Sequence, residues 1–151
     1  ELDVTAEDIL VLKNIGPKGA PGMPEAGYIP IPMKLARAGV KDIVRISDGR
    51  MSGTAFGTIV LHVTPESAIG GPLAQVRNGD RIRLSVKNRE ISILISNEEL
   101  AQRIKDNPIT SPTAERGYKK LFLDTVTQAD QGVDFDFLRA VKMVGKTPQS
   151  K

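Results

Sequence analysis

Asp42 to Val63 reads DIVRISDGRMSGTAFGTIVLHV: an apolar run, a loop of small residues and a second apolar run. DIVRI (42–46) and TIVLHV (58–63) have the length and β-branched content of strands. Between them, Ser47–Gly57 places Gly49, Gly53 and Gly57 around the hydroxyl of Ser52. A loop held at the end of a sheet is a frequent site of chemistry, because the strands fix its ends while its backbone can approach a ligand. His62, the single histidine, falls within the second predicted strand. With no cysteine and no other histidine to share a metal, it reads as a structural or neutral position.

Upstream, Gly16–Pro32 (GPKGAPGMPEAGYIPIP) packs four glycines and five prolines into a segment that cannot be regular structure. The alternation predicts a stiffened loop of defined shape, since proline removes freedom where glycine supplies unusual dihedrals. This loop carries Glu25. It ends at a predicted short helix that begins near Pro32, runs through MKLARA and closes with Gly39 as its C′ residue. Before the loop, ILVLKNI (9–15) reads as a buried strand. So abrupt a start suggests a fragment of a longer protein.

Downstream, TPESAIGGPLAQV predicts no more than a helical turn around Glu66–Ile69. Asn78-Gly79-Asp80 is a turn, and RIRLSV (81–86) and EISILI (90–95) form a hairpin through Lys87–Arg89, with Arg81, Arg83 and Glu90 on its solvated face. Ser96 caps a helix with Glu99 at the capping-box position. A second helix is predicted over about 114–129, its Tyr118 and Phe122 in the core, followed by a short apolar piece, VDFDFLRAV. Strands dominate this pattern, and strict β–α–β alternation is missing. It predicts a mixed, β-rich α/β domain with an antiparallel or mixed barrel-like sheet flanked by helices.

The chain of 151 residues is one domain by size, expected over 1–141 with a disordered basic tail at 142–151. The formal charge of +3 sits at the end: residues 139–151 hold Arg139, Lys142, Lys146 and Lys151 and no acid, which leaves 17 bases against 18 acids before them. That arithmetic, with aromatics at 4%, argues against a nucleic-acid-binding face. No run of membrane-span length and no signal peptide are visible, so a cytoplasmic protein without a membrane partner is expected. The lack of cysteine excludes zinc-thiolate sites and any iron–sulfur cluster ligated by this chain alone.

GPKGAPGMPE is neither a Walker loop nor a dinucleotide fingerprint, and SDGRMSG lacks the spacing of a hydrolase elbow. Ser52 therefore needs another activator, such as a nearby cation, because an unassisted serine is a poor base at neutral pH. Glu25 suits an oxygen ligand for Mg²⁺. The residues leave equally open a turn serine and a glutamate that begins a helix.

GPKGAPGMPE, VRISDGRMSGT, LHVTPESAIGGPLAQVRNGDRIRL and SNEEL, in that order, resemble the C-terminal domain of the dihydroxy-acid and sugar-acid dehydratase family, over roughly Val11–Leu138. RMSGT, ERGY and QADQGVDFDFL look more like the sugar-acid branch. The resemblance implies a β-barrel-like domain of the swivelling β/β/α type, with some of its first strands preceding Glu1. It implies loss of water from a 2,3-dihydroxy acid to give a 2-keto acid, with Mg²⁺ and an iron–sulfur cluster as cofactors. By the resemblance Glu25 ligates Mg²⁺, Ser52 is the base for the C2 proton, and Thr54 and Gly53 bind substrate. The cluster ligands and the other Mg²⁺ ligands would belong to an N-terminal domain, and the full-length enzyme would be a homo-oligomer. The isolated chain is expected to be inactive. The alternative is a stand-alone binding domain that keeps the fold without the reaction.

Overall fold

The computed structural model of the protein describes residues 2–138. The element order is β1 (Leu10–Leu12), α1 (Met33–Arg37), β2 (Arg45–Ser47), β3 (Ile59–Val60), β4 (Ile82–Ser85), β5 (Glu90–Ile93), α2 (Asn97–Asp106) and α3 (Gly117–Thr125), with 3-10 turns at Ser67–Ile69, Pro72–Gln75, Ala129–Gln131 and Asp136–Leu138. The predicted basic tail lies outside the described residues.

The strands form two sheets. In one, β2 lies between β1 and β3 and all three run parallel, with Leu10 opposite Arg45 and Arg45 opposite Ile59. The other is the predicted antiparallel hairpin β4–β5, in a register that sets Ile82 opposite Ile93 and Ser85 opposite Glu90, so that Val86 joins the turn. Ile46, at the centre of β2, is fully buried, in keeping with a strand flanked on both edges.

Local chemistry explains the helix ends. Gly39 takes φ 83° after α1, and the N–H groups of Gly39 and Val40 reach back to the carbonyls of Ala36 and Leu35. These are the paired bonds of a Schellman stop. At α2 the Ser96 hydroxyl accepts from Glu99 N–H at 3.1 Å, as predicted, but the Glu99 carboxylate turns to Arg103. Arg103 is buried, and it also pairs with Asp80 at 2.6 Å and donates to Gln75 O, so the Asn78–Asp80 turn is tied to α2 and the Pro72–Gln75 turn. Its two carboxylates hold the guanidinium well above its ordinary pKa, and its bonds to Asp80 lower that carboxyl.

Three expectations need correcting. The predicted strand 58–63 ends at Val60, because His62 adopts φ 56° and turns the chain; His62 is exposed and outside the strand. The predicted helix 114–129 is cut to Gly117–Thr125: Arg116 is extended before it, and Val126 leaves it to bridge with Phe135. Tyr118 is 70% exposed and so is not core, whereas Phe122 is buried and meets Phe135 edge-on at 5.7 Å.

Candidate functional site

Because β1, β2 and β3 are parallel, the chain leaves β1 and β2 at the same end of the sheet. The glycine–proline loop (13–32) follows β1 and the serine loop (48–58) follows β2, so the topology alone brings them together. The carboxyl ends of parallel strands are where open α/β sheets assemble sites. The loops then meet directly. Glu25 forms a parallel bridge with Arg50, and Gly27 N–H donates to Arg50 O. On the other side the chain after β3 folds back, so that His62 N–H meets Gly49 O at 3.1 Å and Val63 N–H meets Ser47 O at 3.2 Å.

Both loops are rooted in buried carboxylates. Asp48 is fully buried; its Oδ1 accepts from Ile15 N–H at 3.1 Å, and its Oδ2 accepts from Asn14 N–H at 3.2 Å and Ser67 N–H at 2.8 Å. Glu66 is 1% exposed and accepts from Lys18 N–H at 2.8 Å, Gly19 N–H at 2.8 Å and the Gln128 amide at 2.7 Å. Gln128 returns the contact by accepting from Glu66 N–H at 2.9 Å. A buried carboxylate is costly unless it is well solvated by donors, and here peptide N–H groups take that role. A Cβ at Gly16 would come within 2.6 Å of Glu66 Oε2, and one at Gly19 within 2.6 Å of the Asn14 carbonyl. These roots are packed against their anchors.

Arg45 fastens the far ends of the same loops. Its guanidinium is buried, donates to Ile29 O at 2.8 Å and Phe56 O at 3.5 Å, pairs with Asp42 at 2.9 Å, and stacks 5.2 Å from the Tyr28 ring centre. Asp42 also accepts from the Thr58 hydroxyl at 2.6 Å and from Thr58 N–H at 2.9 Å. The Thr58 hydroxyl bond, more than any other contact, holds the Asp42 carboxyl below its usual range.

The predicted functional residues sit at the tips. Glu25 pairs with Arg50 at 3.3 Å, both side chains about half exposed. The Ser52 hydroxyl lies 3.0 Å from the Thr54 hydroxyl and accepts a long contact of 3.4 Å from Thr54 N–H. Gly53 and Thr54 are exposed, and a Cβ at Gly53 would meet nothing within 4 Å. The fold thus brings Glu25 and the Ser52–Thr54 turn to one end of the sheet, linked through Arg50. Among the described residues no cluster of three or more His, Cys, Asp or Glu side chains could hold a metal, so Glu25 stands as a single carboxylate. No helix among them is long and apolar enough to cross a membrane.

Sequence reasoning missed Arg45, Asp48, Arg50, Glu66 and Gln128. Arg45 carried a signal, a charge in the middle of an otherwise apolar strand; the others depend on contacts between distant segments.

The family model for the dihydroxy-acid/6-phosphogluconate dehydratase C-terminal domain matches residues 1–133. The chain is 51% identical over 147 residues to a 6-deoxy-6-sulfo-D-gluconate dehydratase of Pseudomonas putida, covering 97% of this chain and 25% of that protein. It is 52% identical over 143 residues to an L-arabonate dehydratase of Azospirillum brasilense, covering 91% and 24%. A dihydroxy-acid dehydratase of Dehalococcoides mccartyi (strain CBDB1) is 37% identical over 128 residues, covering 85% and 23%. The chain spans about a quarter of the length of the curated relatives it matches.

Proposed function

The chain belongs to the dihydroxy-acid/6-phosphogluconate dehydratase C-terminal family, and from that premise we propose that it is the C-terminal part of a hydro-lyase that converts a 2,3-dihydroxy sugar acid to a 2-keto-3-deoxy acid. The observation that carries the reading is the bridge of Glu25 to Arg50, two residues before Ser52, at the carboxyl end of a parallel sheet. Identity of 51–52% to two sugar-acid dehydratases, against 37% to a dihydroxy-acid dehydratase, favours a sugar acid as substrate.

Glu25 fits the part of a Mg²⁺ ligand: it is a hard oxygen donor, half exposed, engaging Arg50 through Oε1 at 3.3 Å. Mg²⁺ is ordinarily held by one or two carboxylates together with water and substrate oxygens. The remaining ligands would come from outside this chain. So would those of an iron–sulfur cluster, since the chain has no cysteine. When bound, these groups would supply the electrophilic pull that acidifies the C2 proton and eases departure of the 3-hydroxyl.

Ser52 Oγ takes the C2 proton. The C2–H electron pair becomes the C2–C3 double bond of an enol as the 3-hydroxyl departs with the C3–O pair. The proton captured by Ser52 completes the water released and returns Ser52 to the alkoxide, and the enol then loses its 2-O–H proton and gains one at C3 to give the keto acid. Ser52 must act as an alkoxide, and a nearby cation favours that form. The Thr54 hydroxyl at 3.0 Å can donate to the alkoxide, and Arg50 adds positive charge to the same loop. Thr54 and the open backbone at Gly53 offer the substrate a polar, uncrowded approach. The proposal extends to the architecture: strands from the rest of the full-length protein would complete a barrel-like sheet around β4–β5.

The test is formation of 2-keto acid from a panel of sugar acids by the full-length protein, with Ser52→Ala alongside. General-base removal predicts a loss of about 10²–10⁴ in kcat at an unchanged melting temperature. Near-wild-type turnover by Ser52→Ala would remove the base assignment. A wild-type protein that dehydrates no 2,3-dihydroxy acid would remove the reaction. The 151-residue chain alone should show no turnover.

A further inference from the structure

Glu66 is a buried carboxylate, and the elimination as written gives it no role. Its surroundings are unusual in their direction: of its partners, Lys18 N–H and Gly19 N–H both come from the loop that carries Glu25, and each carboxylate oxygen receives at least one of them. Consecutive backbone N–H groups converging on one anion form a nest of the kind that usually receives a ligand. Here the anion is the protein's own. Gly16 closes over it, at a position where a Cβ would overlap the Glu66 side chain. The loop continues as a tight turn, with Ala20 N–H on Gly16 O at 3.0 Å and Met23 N–H on Ala20 O at 2.7 Å. Met23 is buried, and Glu25 follows just before the tie between Gly27 and Arg50. The segment bearing Glu25 is therefore slung between the Glu66 nest at one end and Arg50 at the other.

The carboxylate is itself oriented. Gln128 donates to Glu66 Oε1 and accepts from Glu66 N–H, a two-way lock from a segment 62 residues away. That segment is closed by Thr127 N–H on Asp134 O at 2.9 Å and by the bridge between Val126 and Phe135. We propose that Glu66, oriented by Gln128, is the positioning residue that sets where Glu25 sits, and so couples the segment around residues 126–135 to the metal-facing loop. Glu66 acts through the peptide backbone and touches neither substrate nor metal. The metal arm of this inference rests on the reading of Glu25 as a Mg²⁺ ligand; the loop arm does not.

Glu66→Gln in the full-length protein keeps the side-chain shape and replaces one acceptor oxygen with an NH₂ group that cannot receive a loop N–H. Hydrogen exchange of the peptide spanning residues 16–25 should speed up at least tenfold, and the Mg²⁺ concentration at half-saturation, read by calorimetry on the metal alone, should rise several-fold. Glu66→Asp should recover part of both effects, and Gln128→Ala should give a smaller change in the same direction. Arg103→Gln, which disrupts the buried cluster at α2, serves as the control for general destabilisation and should leave exchange in 16–25 at the wild-type rate. Unchanged exchange in Glu66→Gln would overturn the proposal, as would equal acceleration in Arg103→Gln. If Glu66→Gln does not fold, Glu66→Asp and Gln128→Ala carry the same comparison. Faster exchange in a protein whose wild type binds no Mg²⁺ would uphold the anchor and instead overturn the metal role of Glu25.

Discussion

The roots and the tips of the two loops follow opposite rules. At the roots, Asp48 and Glu66 are buried, their oxygens are filled by peptide N–H groups, and glycines sit where any side chain would strike a neighbour. At the tips, Glu25, Gly53 and Thr54 are exposed, the ion pair is long at 3.3 Å, and Gly53 has open space around it. The same residue type thus has two meanings within one loop pair. Gly19 is small because the protein needs the room, whereas nothing among the described residues crowds Gly53. The roots are packed; the tips stand open to solvent.

The contrast can be broken by substitution. The largest effect on stability should come from Gly19→Ala, whose Cβ would lie 2.6 Å from the backbone of Asn14. Backbone cannot step aside as a side-chain tip can, so a loss of about 2 kcal/mol is expected, read as a lower urea midpoint of the full-length protein. A loss under a few tenths would mean that the root is looser than drawn.

A smaller, pH-dependent effect should come from Asp42, where the serine loop closes on Thr58. Its folded pKa is depressed, chiefly by the Thr58 hydroxyl, so its contribution is fully present above the unfolded value of about 3.9 and is lost as pH falls below it. Thr58→Val should lower the urea midpoint at pH 6, and the gap from wild type should narrow by pH 3. A gap that is constant with pH would contradict the assignment.

The smallest stability effect should come from Gly53→Ala, within about 0.5 kcal/mol of wild type. Its kcat/KM on a sugar acid should nonetheless fall, because the added methyl occupies the open approach. Equal losses of stability in Gly53→Ala and Gly19→Ala would erase the distinction between root and tip.

This division also marks what the sequence could reveal. Strand–loop–strand, the β4–β5 hairpin, the Schellman glycine at Gly39 and the Ser96 cap are local, written in a few adjacent residues, and they appear in the structure. Ser52 and Glu25 were visible as exposed-loop residues for the same reason, and their shared end of the sheet follows from the parallel pairing. The roots were not legible. Glu66 lies 48 residues from Lys18 and 62 from Gln128, and no periodicity joins them. The misread ends of β3 and α3 have a related cause. A left-handed His62 and the pairing of Val126 with Phe135 are tertiary choices that overrode plausible local patterns.

In the proposed function the tip of the glycine–proline loop, through Glu25, would face a Mg²⁺ ion. Mg²⁺ binding by the full-length protein, measured by calorimetry before and after Glu25→Gln, tests it most directly. Affinity should fall at least tenfold, about 1.4 kcal/mol, with an unchanged melting temperature in the absence of metal, because the residue is half exposed and paired with Arg50 at the surface. Undiminished Mg²⁺ affinity in Glu25→Gln would contradict the account.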